Sequence, residues 1–211
     1  MIIAIDGTST DLSVALAAAD GTLLGLDAWS SEGRQSAELL PRLLDLVERE
    51  HRSLDEVTAI AVGAGPGSFT GLRVAMALGK GLAVALGRPI VGVASLEAWL
   101  DATPDAVAAI ARAGAREAYI HLRGEDAPVL ADRDALAERL RDRPVVAPAE
   151  LAAAFGLRAA TSPRAAGEMA RRAAERLGRD PGGDDLARLE PQYLRAPRGV
   201  GSDDGALARW R

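Results

Sequence analysis

The stretch Gly63-Ala64-Gly65-Pro66-Gly67-Ser68-Phe69-Thr70-Gly71-Leu72-Arg73 constrains the fold more than any other part of this chain. It follows a short apolar run, 57–62, of strand type and leads into a helical pattern from Thr70 onward. Four glycines in nine positions leave the backbone nearly bare of side chains. A glycine-rich turn between the carboxyl end of a strand and the amino end of a helix is where α/β proteins bind anions. The other reading is a tight strand-to-helix turn in which Ser68 or Thr70 caps the helix.

The loop departs from each common phosphate motif. A Walker loop needs Gly-Lys-Ser/Thr where this chain has Gly71-Leu72-Arg73. The dinucleotide fingerprint spaces its last two glycines three residues apart, whereas these fall at 63, 65 and 67. A nucleophile elbow would flank Ser68 with glycines, and Pro66 and Thr70 stand there instead. Ser68 therefore has no motif support as a nucleophile.

Along the following helix, positions 71, 75, 79, 83 and 87 are small, and 74, 78, 82 and 86 are Val, Leu, Leu and Leu. Rows four apart form ridges and grooves. The row 77, 81, 85 is again Ala, Gly, Ala, and Lys80 is the only charge between Val74 and Leu86. A helix apolar on every side is covered on more than one side. The second cover is a neighbouring helix of the same chain or a partner chain.

Other elements frame this unit. Strands are expected at 2–5, 12–18 and 23–29, an amphipathic helix at 35–50 with Ser36 as its cap, and a strand at 89–93. The order is βββαβα. A similar order is expected again from residue 107, with strands near 107–111, 117–122, 128–130 and 144–147, and helices at 132–140 and 163–177. The divisions are a first lobe at 1–100, a smaller and degenerate second lobe at 101–178, and a poorly packed tail at 179–211, where Gly, Pro, Asp and Arg dominate.

Composition excludes several chemistries. The 211 residues contain no cysteine, which removes disulfides, thiolate catalysis and Cys-ligated zinc. The net charge of -5 argues against nucleic-acid binding through a basic surface of this chain alone. The two histidines, His51 and His121, are far apart in sequence. No run is expected to reach the roughly twenty apolar residues of a membrane span, and no basic segment precedes the opening strand, so a signal peptide is not expected. A soluble, cytoplasmic protein is expected. In the opening segment, Asp6 at a strand end suits a magnesium-bound water, and Thr8 or Ser9 a phosphate; an Asx-type turn is the alternative.

Several of these segments together resemble the bacterial TsaB family, also called YeaZ. The resemblance rests on Ile3-Ala4-Ile5-Asp6 with Thr8-Ser9-Thr10, on Ser36-Ala37-Glu38-Leu39-Leu40-Pro41, on Gly65 to Arg73 with Lys80-Gly81-Leu82-Ala83, and on Gly92-Val93-Ala94-Ser95-Leu96-Glu97. Pro191-Gln192-Tyr193-Leu194-Arg195 resembles the family's closing motif. It is near continuous over 2–98 and patchy afterward. Three features depart from the family pattern: Gly7 is inserted between Asp6 and Thr8, Gln35 stands where histidine is common, and the segment 112–119 keeps only part of its motif.

The resemblance implies an actin-like ATPase fold of the sugar-kinase and Hsp70 superfamily (ASKHA, ribonuclease H-like), in two βββαβα lobes. It implies an accessory subunit rather than an enzyme. Such proteins dimerise with the paralogous transferase TsaD, and the ATPase TsaE joins them to form N6-threonylcarbamoyladenosine at position 37 of tRNAs that read codons starting with A. ATP and metal are expected on the partner subunits and no cofactor on this chain, with tRNA reached only through the complex. The weak nucleotide candidates are Asp6, Thr8, Gly65 and Gly67; no catalytic or metal residue is assigned. The partner interface is expected on the helices beginning near Ser36 and Thr70, at Ser36, Glu38, Leu39, Leu40, Leu72, Arg73, Ala75, Met76, Gly79 and Ala83. No zinc-peptidase helix motif supports the superfamily's older description as glycopeptidases. The alternatives are a kinase- or ATPase-type enzyme using Asp6 and the glycine loop, or a scaffold that self-associates through the same helices.

Overall fold

A computed structural model describes residues 1–31, 33–114, 116–140, 142–158, 160–161 and 163–192. Strand β1 (Ile2–Asp6) is buried at every position because strands flank it and helices cover both faces. It pairs antiparallel with β2 (Asp11–Ala17), which pairs antiparallel with β3 (Leu23–Ser30). On its other side β1 runs parallel to β4 (Ala59–Gly65), and β4 runs parallel to β5 (Ile90–Ala94). Helices α1 (Gln35–Arg49), α2 (Phe69–Leu86) and α3 (Ser95–Ala102) complete the first unit. Its sheet order is β3-β2-β1-β4-β5.

The second unit repeats the first element for element. It contains β6 (Ala108–Arg112), β7 (Glu117–Leu122), β8 (Val129–Asp132), α4 (Arg133–Leu140), β9 (Val145–Val146), α5 (Ala149–Phe155), β10 (Ala160–Thr161) and α6 (Ala166–Arg179). The order β10-β9-β6-β7-β8 is that of the first sheet with each strand replaced by its counterpart. This is the actin-like architecture with a degenerate second lobe, whose outer strands β9 and β10 have two residues each. Helices α3 and α5 and strand β10 are absent from the sequence-based expectation, because segments of eight, seven and two residues are too short to display a period.

The third helix of each unit serves the other unit. Helix α3 packs on β6 and β7, whereas α6 crosses to the first sheet and lies on β1 and β2. A boundary at residue 101 therefore separates α6 from the sheet it covers. Close approach is possible because both surfaces are small: Ala4, Ala15 and Ala17 meet Ala166, Ala170 and Ala173. The opposite face of the sheet, carrying Ile3, Ile5, Leu12, Val14 and Leu16, is covered by α1 and α2. Ser36 does not cap α1, since the helix starts at Gln35 with Arg34 at its N-cap and no side-chain cap bond.

The expectation of a poorly packed tail fails over 180–192. Asp184 donates its amide to Ile90 and accepts from the Gly92 amide, so this segment runs along β5. Leu189 is buried in the first core, and the Gln192 amide donates to the Ala64 carbonyl. Three aspartates, two glycines and a proline over 180–185 hid one buried leucine, Leu189. Residues 193–211, including Tyr193, Leu194 and Arg195, lie outside the described residues.

Candidate functional site

The opening hairpin, the glycine loop and the start of α3 converge at the carboxyl ends of β1, β4 and β5. Asp6 is fully buried. Its Oδ1 accepts from the Thr8 amide at 3.0 Å and its Oδ2 from the Trp99 indole N–H at 2.7 Å. Burial pushes the Asp6 carboxyl above the usual carboxylate range, and the bonds from Thr8 and Trp99 pull the other way. The turn alternative is thus realised at the Asp6 end, with the carboxylate held inside the protein.

Thr8 ties the hairpin to the loop. Its hydroxyl donates to Ser95 Oγ at 2.7 Å, and Ser95 Oγ also accepts from the Gly65 amide at 2.9 Å. The Thr8 carbonyl accepts from the Ser68 amide at 2.8 Å. A Cβ on Gly67 would collide with that carbonyl, which is why the loop needs glycine there. Gly7 and Gly71 cross in the same way, and a Cβ on Gly7 would lie 2.6 Å from the Gly71 carbonyl oxygen. The inserted Gly7 therefore seats the hairpin on the first turn of α2. Ser68 caps that helix, accepting from the Gly71 amide at 3.3 Å.

A cleft of about 740 Å3 opens beside this junction. It is walled by Ala64, Gly65 and Pro66, by the first turn of α3, by His121 and Asp126 from the second unit, and by Asp184 of the closing segment. Of the four nucleotide candidates only Gly65 lines it; Asp6, Thr8 and Gly67 serve the hairpin-to-loop contact. Among the described residues no three His, Asp or Glu side chains are grouped to hold a metal ion. Sequence reasoning missed Ser95 and Trp99 as partners of the hairpin, since nothing local marks residues about ninety positions away.

The expected partner face is divided by the structure. Leu39, Leu72, Ala75, Met76, Gly79 and Ala83 are buried within the chain. The row Gly71, Ala75, Gly79, Ala83 faces the sheet, and a Cβ on Gly79 would collide with Val62. These six positions are internal packing and are corrected from the interface. Glu38 receives the Trp29 indole N–H at 2.9 Å and pairs with Arg34. The Ser31 hydroxyl first, then Trp29, hold its carboxyl below the usual range. Ser36, Leu40 and Arg73 remain at the surface, with Arg73 stacked on Phe69 at 4.1 Å.

What α1 and α2 do expose is a neighbouring apolar face. Leu40 and Leu44 on α1 and Phe69 and Val84 on α2 are exposed, Val84 at 66%. Ala77, Gly81 and Ala85, the second small-residue row of α2, are exposed as well, and nothing lies within 4 Å of a Cβ placed on Gly81. By length and composition α2 would qualify to cross a membrane, with a mean hydropathy of 1.4 over 18 residues, contrary to the sequence-based expectation. Its buried ridge on β4 accounts for part of that apolar content.

Residues 32–144, more than half of the chain, match the family described as TsaD, tRNA N6-adenosine threonylcarbamoyltransferase. The tRNA threonylcarbamoyladenosine biosynthesis protein TsaB of Escherichia coli strain K12 is 38% identical over 96 residues, covering 45% of this chain and 40% of that protein. The matched segment thus spans less than half of that relative's length. Among solved structures, YeaZ from Pseudomonas aeruginosa superposes with a TM-score of 0.70 at 24% identity, over 92% of this chain and 99% of that one. An uncharacterized protein with similarity to peptidase YeaZ, also from Pseudomonas aeruginosa, gives a TM-score of 0.71 at 26% identity, with the same coverage of both chains. The fold, the glycine loop and these similarities agree: the chain belongs to the family that the TsaD model describes, and the relatives it resembles within that family are named TsaB and YeaZ.

Proposed function

We propose that this chain is a non-catalytic subunit in the formation of N6-threonylcarbamoyladenosine at position 37 of tRNAs reading codons that start with A. It binds and supports a TsaD transferase, and the ATPase TsaE completes the assembly in the cytoplasm. The names of its relatives supply the pathway. The observation that carries the non-catalytic reading is the state of Asp6. An ATPase of this architecture needs an acid turned toward a metal-bound water. Here both oxygens of Asp6 receive protein N–H groups in the interior.

The exposed apolar face of α1 and α2 supports the partner role. Leu40, Leu44, Phe69 and Val84 are held on rigid helices beside an open small-residue row. Such a row lets a second helix approach closely, and large apolar groups around it supply buried area. The same face serves self-association when the partner is missing. ATP and metal then belong to the partner subunits, and tRNA contacts the assembly rather than this chain alone.

The test is co-purification of this chain with TsaD and TsaE homologues from one organism, followed by assay of tRNA modification with and without it. Modification that needs the chain, with no ATP hydrolysis by the chain alone, is the expected result. Full modification without it, or ATP turnover by the isolated chain, overturns the reading.

A further inference from the structure

Lys80 is the only lysine of the chain; the rest of its 25 lysines and arginines are arginine. It stands on α2, and the stretch 57–96 around this helix holds no aspartate or glutamate, although the whole chain carries a net charge of -5. The cations of that stretch are Arg73, Lys80 and Arg88. Arginine spreads its charge over a planar fork, whereas lysine carries a compact, strongly hydrated ammonium on a flexible stem.

Ala77 lies three residues before Lys80 and Val84 four after it, so the three share one helical face. Ala77, Gly81 and Val84 are exposed and Lys80 is partly buried, while its neighbours Met76 and Ala83 are buried against the chain's own core. No ion pair or hydrogen bond engages the Lys80 ammonium among the described residues. Helix α1 differs: Arg42 and Arg49 pair with Asp27, and Arg34 at its N-cap pairs with Glu38. The chain supplies counter-charges for those arginines and none for Lys80.

In the free chain this arrangement costs little, because a lysine stem covers apolar surface while its head stays in water. A second surface closing over Ala77, Gly81 and Val84 removes that water. A charge desolvated without a counter-charge opposes association, whereas a carboxylate placed opposite it offsets the loss. The large exposed side chains nearby on the face, Leu40 and Leu44 of α1 and Phe69 of α2, carry no acceptor. The acceptor has to come from whatever covers the face.

Resting on the reading of this face as a partner surface, we propose that Lys80 selects its occupant: a helix of a different chain, apolar around one carboxylate that meets the Lys80 ammonium. A second copy of this chain is the poorer occupant. Laid α2 against α2 across a two-fold axis, two copies bring cations toward cations, Lys80 and Arg73 from each, with no carboxylate from either α2. Arg73 stands seven residues earlier, about 10 Å along the helix. Like charges set together across an interface suppress that pairing.

A carbodiimide joins an amine to a carboxylate only where the two are in contact, and apart from the amino terminus this chain offers it a single amine. The full chain is mixed with the TsaD homologue of the same organism and treated with the carbodiimide, and the linked peptides are read by mass spectrometry. The expected product joins Lys80 to an aspartate or glutamate of the homologue. Lys80→Gln weakens that association at least about thirtyfold, as leaving a buried carboxylate unpaired does, and it does not weaken self-association. Lys80→Arg keeps the association and loses the cross-link, since a guanidinium is not coupled. A wild-type chain that does not bind the homologue at all refutes the partner surface, and this proposal with it. Where the wild-type chain binds, three results overturn the role of Lys80 and leave the partner surface standing: full affinity in Lys80→Gln, equal weakening of both associations, or no cross-link from Lys80 to the homologue.

Discussion

Asp6 shows how two N–H donors and full burial fix the surroundings of one carboxyl. Its neighbours are donors, Thr8 N–H on one oxygen and Trp99 Nε1–H on the other. An amide at this position would point its NH2 at one of them. Asp6→Asn is therefore expected to destabilise the fold by about 1 to 3 kcal/mol, measured by urea denaturation at pH 7. The pH dependence has a definite sign. Burial raises the folded-state value above the 3.8 of a free carboxyl. Between those two values the folded chain holds a proton that the unfolded chain has released, so stability falls as pH rises through that window. The variant lacks this slope, and the difference between the two curves isolates Asp6. Parallel curves would show that the carboxylate is not held at a desolvation cost. The Asp-Gly-Thr pattern made a turn legible, whereas Trp99, which decides the fate of the acid, becomes its neighbour only through the packing of α3.

Helix α2 carries two small-residue rows of opposite meaning. Gly79 lies against Val62, and Gly81 faces open space. Overpacking a filled site costs about 1 to 3 kcal/mol, so Gly79→Ala lowers the denaturation midpoint and Gly79→Leu prevents folding. Gly81→Ala raises stability by about 0.5 to 1 kcal/mol, because an exposed helical glycine loses more backbone entropy than alanine. Equal responses at the two positions would refute the assignment of rows. Spacing in the sequence revealed both rows and the strand-to-helix loop, but helical periodicity alone does not say which row meets the sheet. That choice is fixed by Val62, Ile60 and Ile90 on β4 and β5. Val84→Asp belongs to the same argument. It places a charge on the exposed face, leaves the circular dichroism and melting of the chain unchanged, and weakens the proposed association with TsaD at least about tenfold, as a desolvated unpaired charge costs more than 1.4 kcal/mol. Unchanged affinity would move the partner to another surface.

At the scale of the molecule, two sheets of the same order share a core because each lends a helix to the other, and the segment 180–192 finishes the first sheet. Strand β5 would otherwise be an edge with free backbone groups, the arrangement that invites pairing with other chains. Asp184 blocks it twice, through its amide to Ile90 and through Oδ2, which accepts the Gly92 amide at 2.7 Å. Arg176 of α6 grips the same carboxylate, so the helix laid on the first sheet also positions the strap. Leu189, 3% exposed, packs over Gly92, where a Cβ would lie 2.7 Å from its Cδ1. Element order in the sequence disclosed the duplication, yet the strap was hidden because its hold is two backbone bonds and one leucine rather than a periodic pattern. Leu189→Ala is expected to cost about 2 to 5 kcal/mol by large-to-small truncation. Asp184→Ala leaves the Gly92 N–H and the Arg176 guanidinium without their acceptor and adds concentration-dependent aggregation on heating, as β5 becomes available. Light scattering during thermal unfolding separates the two effects: Leu189→Ala melts earlier at any protein concentration, whereas the Asp184→Ala scattering onset falls as concentration rises. A wild-type onset in both variants would mean that the closing segment does not protect the sheet.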